Sequence, residues 1–431
     1  LFSLLIDGIV SKIKKVVARQ VLDSRANPTI QVDVLTEKNS ASAMVPSGAS
    51  TGSHEALELR DGDKAVYCGK GILKAVDNVN KIISKKVIGL NCESQRKIDE
   101  LMIDLDGTEN KSKFGGNSIL GVSMAVCKAA SMDKEIELYE HIHQISDLKS
   151  KKFHLPIPQL NIMNGGKHAG KENDIQESMI MPVKFESFQE SLRAGVEVYH
   201  ELGKLLKAKF GSQGTLLGDE GGFVPNIDGV EERLEIIQQA IENSGYEKKI
   251  FLAMDCAASE FFYSDYYKLG KKEYSPGELI DFYKSLIKKY NIISIEDGMA
   301  EDHWNGWKEL NKELGKKVQL VGDDLLVTNV ERMKQALDEK ACNALLLKVN
   351  QIGTVTESIE AAKLSLENKW NVVVSHRSGE TEDSFIADVV VGLNSGQSKF
   401  GAPARSERTA KYNRLLKIED DLGKEADFAK F

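Results

Sequence analysis

The chain has 431 residues, 41% of them hydrophobic and 28% charged, with a formal net charge of −8. That length exceeds one small core and calls for two domains, or a barrel with an added module, and the acidic balance gives no electrostatic reason to require nucleic acid. The five cysteines are dispersed without CxxC spacing, which argues against a disulfide framework or a zinc site.

No apolar run approaches bilayer length. The apolar stretch Leu1 to Val10 contains Asp7 and has its lysines after it, the reverse of a secretory signal, so a cytoplasmic protein without a membrane partner is expected. Residues 29–35 alternate apolar and polar, as a half-buried strand does, and residues 14–22 can pair with them across Asp23 to Pro28. Ile72, Val76, Val79 and Ile83 recur at helical spacing, and residues 118–131 read as a second buried helix. Strands followed by helices predict an α+β domain over residues 1–150. Its junction falls near Leu155-Pro156-Ile157-Pro158, where neither a helix nor a central strand continues easily.

Residues 151–431 change texture to short apolar runs separated by helix-length segments. The runs are Gln159 to Asn164, Ile175 to Met181, Thr215 to Glu220, Phe251 to Asp255, Ile292 to Glu296, Gln319 to Asp323, Ala344 to Lys348 and Val372 to His376. Val355, Ile359, Ala362 and Leu366 mark a crossover helix before the last of them. Eight such units predict an α/β barrel of the (β/α)8 type.

The last five runs end in Asp255, Glu296, Asp323, Lys348 and His376. A barrel gathers the C-terminal ends of its parallel strands at one mouth, so these distant residues become neighbours. Three carboxylates brought together repel unless a cation neutralises them, and an oxygen-only donor set favours Mg2+ over zinc. A salt-bridge cluster with nearby lysines is the alternative. Lys348 sits in a run too apolar for a surface lysine, and burial beside a cation favours its neutral amine, a usable base. Glu220, in Gly-Asp-Glu-Gly-Gly, is the candidate acid on the opposite face, against a plain turn carboxylate. Arg377 and Ser378 offer a planar cation and a hydroxyl suited to phosphate, and Lys399 can meet a second anionic group. The glycine-bearing loop 45–55 reads as a lid.

These motifs resemble the enolase family along nearly the whole chain: Asp-Ser-Arg (23–25), Ser-Gly-Ala-Ser-Thr-Gly (47–52), Asn-Gly-Gly-Lys-His-Ala-Gly (164–170), Gly-Asp-Glu-Gly-Gly-Phe (218–223), Ser-Ile-Glu-Asp (294–297), Gly-Asp-Asp-Leu (322–325), Leu-Lys-Val-Asn-Gln-Ile-Gly (347–353), Ser-His-Arg-Ser-Gly-Glu-Thr-Glu-Asp (375–383) and Gly-Ala-Pro-Ala-Arg-Ser-Glu-Arg (401–408). The resemblance implies a lyase that reversibly dehydrates 2-phosphoglycerate to phosphoenolpyruvate with two Mg2+ per site. Asp255, Glu296 and Asp323 would hold the first ion, and Ser50 the second together with the phosphate. Lys348 would be the base at C2 and Glu220 the acid at the C3 hydroxyl. His168, Gln176, Glu177 and His376 would line the pocket, Arg377 and Ser378 would take the phosphate, and Lys399 the carboxylate. The resemblance also implies irregular first barrel units and a homodimer or larger assembly. Ala26, Ser178 and Phe400 depart from the family pattern, which expects Gly, Phe and Thr there. Two rivals remain at this level: another proton-abstracting barrel enzyme, which would lack the lid motif and the Arg-Ser pair, and a non-enzymatic protein that kept the fold.

Overall fold

The computed structural model describes residues 11–48, 52–150 and 152–431. Near the N-terminus, β1 (Lys15–Leu22), β2 (Pro28–Leu35) and β3 (Ser40–Met44) form an antiparallel sheet in that order. Alternation buries Val16, Ala18, Ile30, Val32, Val34, Ala41 and Ala43 and so selects the face on which helices pack. A helical segment over residues 73–87 follows, and then come the helices α1 (Gln95–Asp106), α2 (Gly116–Asp133) and α3 (Leu138–Ser146). On α2, a Cβ at Gly121 would come 2.7 Å from Val32 Cγ2, so only glycine allows this approach to the sheet. The expected helical spacing at Ile72, Val76, Val79 and Ile83 is real: all four are buried, on a helical segment that passes through a π turn over Asn78–Ile83.

The remainder closes into an eight-stranded barrel. Its strands are β4 (Ile157–Asn164), β5 (Glu177–Pro182), β6 (Ile250–Asp255), β7 (Ile292–Glu296), β8 (Gln319–Gly322), β9 (Ala344–Leu347), β10 (Asn371–Ser375) and β11 (Gly396–Lys399). Neighbours in sequence are neighbours in the barrel, and β11 closes on β4. β5 is antiparallel to both β4 and β6, while the other pairs are parallel. The helix α4 (Phe188–Phe210) and then α5 (Val230–Asn243) separate β5 from β6. Later strands are linked by α6 (Pro276–Tyr290), α7 (Trp304–Leu314), α8 (Val330–Glu339), α9 (Val355–Glu367) and α10 (Phe385–Gly392), and α11 (Ser406–Leu422) follows the barrel.

Two expectations are corrected here. Thr215 to Glu220 is not a barrel strand: it leaves the short helical turn Gly211–Thr215 as a loop, with Leu216 and Leu217 59% and 41% exposed. The eighth strand is instead β11, whose sequence Gly-Gln-Ser-Lys has no apolar side chain. An apolarity criterion cannot find it, because its inward Gln397 is satisfied by other buried amides rather than by packing. Pro158 likewise lies inside β4, tolerated at the strand's second position.

The N-terminal helices grip the first turn of α9. Asp99 accepts from Thr356 N (3.0 Å) and Thr356 Oγ1 (2.6 Å), Ser123 Oγ accepts from Val355 N (3.0 Å), and Lys111 pairs with Glu357 at 2.9 Å. Since α9 begins just beyond Lys348 and the short helix Val349–Ile352, this grip fixes the segment that leaves the barrel mouth.

Candidate active site

Asp255 and Glu296 are the last residues of β6 and β7 and are register partners. Asp323, Lys348 and His376 each directly follow β8, β9 and β10, and Lys399 ends β11. The reversal of β5 puts its first residue, rather than its last, at the same rim: Glu177 is opposite Asp255 and Asn164. Thus His168, Gln176, Glu177, Glu220, Asp255, Asp323, Lys348, His376, Arg377, Ser378 and Lys399 line one cavity of about 30 Å³. Glu296 joins it through Lys399. Ser50, expected in the lid, lies outside the described residues.

The cavity is small because its charges pair across it. Lys399 Nζ donates to both Glu296 oxygens at 2.8 Å and to Asp255 Oδ2 at 3.1 Å, and stands 3.1 Å from Glu177 Oε2. Burial would lower the Lys399 pKa, but the surrounding carboxylates outweigh it and hold the ammonium well above its usual range. Burial, and then the Asp255 charge, push Glu296 well above the usual carboxylate range. Asp323 belongs to a second pair: Lys348 Nζ donates to Oδ2 at 2.5 Å and Gln351 Nε2 to Oδ1 at 2.7 Å. The neutral amine expected at Lys348 is therefore not the form this arrangement favours. Burial acts downward as anticipated, yet Asp323 overrides it and raises the pKa.

Across the cavity, Glu220 accepts from Asn161 Nδ2 at 2.9 Å and from Ser378 Oγ at 3.1 Å, with His376 Nε2 at 3.3 Å. Burial would raise Glu220, but the His376, His168 and Arg408 side hold it well below the carboxylate range. Burial and then the Glu220 charge push Glu177 the other way, well above that range. His168 lies between them, Nδ1 at 3.4 Å from Glu177 and Nε2 at 3.9 Å from Glu220. Burial and neighbouring charge thus push these two buried carboxylates in opposite directions, with His168 between them.

Three contributors escaped the sequence reading. Glu55 grips Arg377 with both oxygens, at 2.9 and 3.1 Å. Gln351 orients Asp323 and accepts from Thr328 Oγ1 at 3.0 Å. Asp297 receives the backbone N–H groups of Asp323 and Asp324 at 2.9 Å each, tying β7 to the turn after β8. Gln351 and Asp297 stand inside quoted motifs and Glu55 in the glycine-bearing loop, but only a partner distant in sequence gives each a role.

The donor chemistry fits a hard divalent cation. Five carboxylates (Glu177, Glu220, Asp255, Glu296 and Asp323) meet here, two of them pushed up first by burial and then by the negative charge of their neighbours. Among the described residues, ligand atoms of His168, Glu177 and Glu220, and of Asp297, Asp323 and Asp324, lie within 4.8 Å of one another. The trio expected from sequence is divided instead between Lys399 and Lys348, the lysine cluster weighed above as the alternative to a metal site.

The departures from the family pattern leave the lining groups in place. Phe400 is fully buried, its ring 6.0 Å from Tyr412. Ser178 is buried with no partner for its hydroxyl among the described residues. Ala26 does take φ 57°, a left-handed conformation that costs a non-glycine residue about 1 kcal/mol.

No helix among the described residues is long and apolar enough to cross a membrane. The model of the enolase N-terminal domain matches residues 13–142, and that of the enolase C-terminal TIM barrel domain matches residues 152–430. With a barrel mouth of this composition and both models spanning nearly the full length, the chain belongs to the enolase family.

Proposed function

We propose that this protein reversibly dehydrates 2-phosphoglycerate to phosphoenolpyruvate. The observation that carries the reading is the placement of Lys348 and Glu220 on one small cavity also lined by the cations Arg377 and Lys399. A substrate with a phosphate at one end and a carboxylate at the other matches those two cations. Its phosphate takes the place of Glu55 on Arg377 and reaches Ser378 Oγ, while its carboxylate takes the place of Glu177 on Lys399. His168, Gln176, Glu177 and His376 close the remaining walls.

Asp255, Glu296 and Asp323 would hold one Mg2+ and Ser50 would help hold a second, and the ions would supply positive charge to offset the negative charge that builds on the substrate carboxylate. Lys348 acts as the base in its neutral form, which its burial favours. Lys348 removes the C2 proton. The C3 hydroxyl leaves as water with a proton delivered from Glu220. The return reaction reverses these transfers.

The family reading also carries a homodimer or larger assembly and a cytoplasmic location, the former checked by sedimentation. For the reaction, purified protein given 2-phosphoglycerate and Mg2+ is expected to raise the ultraviolet absorbance of an enol phosphate, and a chelator to stop the rise. No rise at any Mg2+ concentration would remove this reading and favour another proton-abstracting activity or a non-enzymatic role.

A further inference from the structure

Arg408, in the first turn of α11, is fully buried. Glu407 is 3.6 Å from its Nε, outside hydrogen-bond range. Its guanidinium instead reaches the floor of the Glu220 side. Nη1 donates to His376 Nδ1 at 2.6 Å and to the Arg377 carbonyl at 2.5 Å, and Nη2 donates to the Ser378 and Asp219 carbonyls at 2.5 and 3.1 Å. The carbonyls of Asp219, Arg377 and Ser378 belong to the two loops that present Glu220, His376 and Ser378 to the cavity.

One of these bonds decides a proton position. A guanidinium stays protonated and has no acceptor, so His376 Nδ1 facing it at 2.6 Å must be the acceptor. A neutral imidazole then carries its hydrogen on Nε2, the nitrogen 3.3 Å from Glu220 Oε2. The opposite tautomer sets N–H against N–H on one side and a lone pair against a carboxylate on the other. A doubly protonated ring meets the same clash, with Glu220 and Glu380 the acids on its other sides, and Glu380 already holds Lys411 at 2.8 Å.

We propose that Arg408 is a positioning residue that fixes His376 as the Nε2–H tautomer and thereby aims a hydrogen bond at Glu220. The tautomer assignment stands on the geometry alone, and its effect on turnover rests on the dehydration reading. With the hydrogen bond directed to Oε2 and Ser378 directed to Oε1, each Glu220 oxygen has a fixed donor that holds the carboxylate in one orientation.

The test begins on protein without substrate, carrying 15N-labelled histidine, with His376→Gln used to assign the signal. At neutral pH, His376 is expected to show an unprotonated Nδ1 and a protonated Nε2. Arg408→Ala is expected to mix the tautomers and to lower kcat with 2-phosphoglycerate by about 100-fold or more, with a smaller change in KM. Added guanidinium ion should return both the single tautomer and part of kcat, and Arg408→Lys, which keeps a cationic donor nitrogen but loses the planar fork, should fall between. A protonated Nδ1 in the unaltered protein overturns the proposal, whether or not the variants fold. So does an Arg408→Ala protein that keeps both the tautomer and kcat. If the tautomer responds as expected while the unaltered protein has no turnover, the dehydration reading fails and the assignment stands.

Discussion

The two ends of the barrel interior are both polar and both buried, but they solve that problem differently. At the floor, Gln397 Oε1 accepts from Gln159 and Gln319 at 2.9 Å each, Gln397 Nε2 donates to Gln319 at 2.8 Å, and Gln319 also meets Asn371 and Ser294 at 2.6 and 3.1 Å. Each neutral amide finds partners of matching polarity, so no net charge is buried. At the mouth, acids outnumber cations and several carboxylates sit far from their ordinary pKa values. A neutral network adds stability and fixes strand register, whereas a charged one left out of balance invites a cation and an acidic ligand.

The sharpest way to break that comparison is to change each end and measure both properties. Lys348→Ala is expected to lower turnover by about 100- to 10,000-fold, as is Glu220→Gln, with substrate and metal binding retained by calorimetry. Near-full activity in the Lys348 variant would reassign the base. At the floor, Gln319→Leu leaves Asn371 and Gln397 groups unpaired and should cost about 3 kcal/mol of stability in urea unfolding, with kcat of the folded protein unchanged. A floor variant that lost turnover instead would erase the distinction.

Charge balance offers a gentler probe. Mg2+ should raise stability by about 3 kcal/mol at 100 times its dissociation constant. Glu177 and Glu296, whose pKa values are raised in the folded protein, hold protons that the unfolded chain has already released. Their contribution to stability therefore falls as pH rises above the usual carboxylate range. Because the cation competes with those protons, its stabilising effect should be larger at pH 8 than at pH 5, read as the shift in Tm. An equal shift at both values would detach the metal from these acids. The smallest effect is expected away from both ends: Ala26→Gly relieves the φ 57° turn and should change stability by no more than ~1 kcal/mol, the relief being offset by glycine's greater chain entropy.

Seven of the eight barrel strands were legible in the sequence as apolar runs, and six of them end in a polar residue, as a parallel strand with a functional mouth requires. The runs failed in two ways: β11 escapes them because its interior position is filled by mutually bonded amides that periodicity does not register, and Thr215 to Glu220 reads as a strand although its leucines lie exposed in a loop. The chemistry-bearing residues after β6 to β10 were likewise legible from spacing, since a strand and its returning helix set a nearly fixed interval. His168, Gln176 and Glu177 were not. His168 follows the end of β4, while Gln176 and Glu177 arrive at the mouth only because β5 runs backwards, and strand direction is settled by pairing with β4 and β6 rather than by anything local.

The sequence by itself determined the barrel, the acids and the lysine at its rim, and the family motifs, because each depends on residue type and interval along the chain. The tertiary structure alone decided which charge faces which. It set Asp323 against Lys348, gave Arg377 to Glu55, pushed Glu177 and Glu220 apart in proton affinity, and placed the Arg408 guanidinium on His376. These are pairings across tens to hundreds of residues, and their energies depend on distance and burial, which exist only once the barrel has closed.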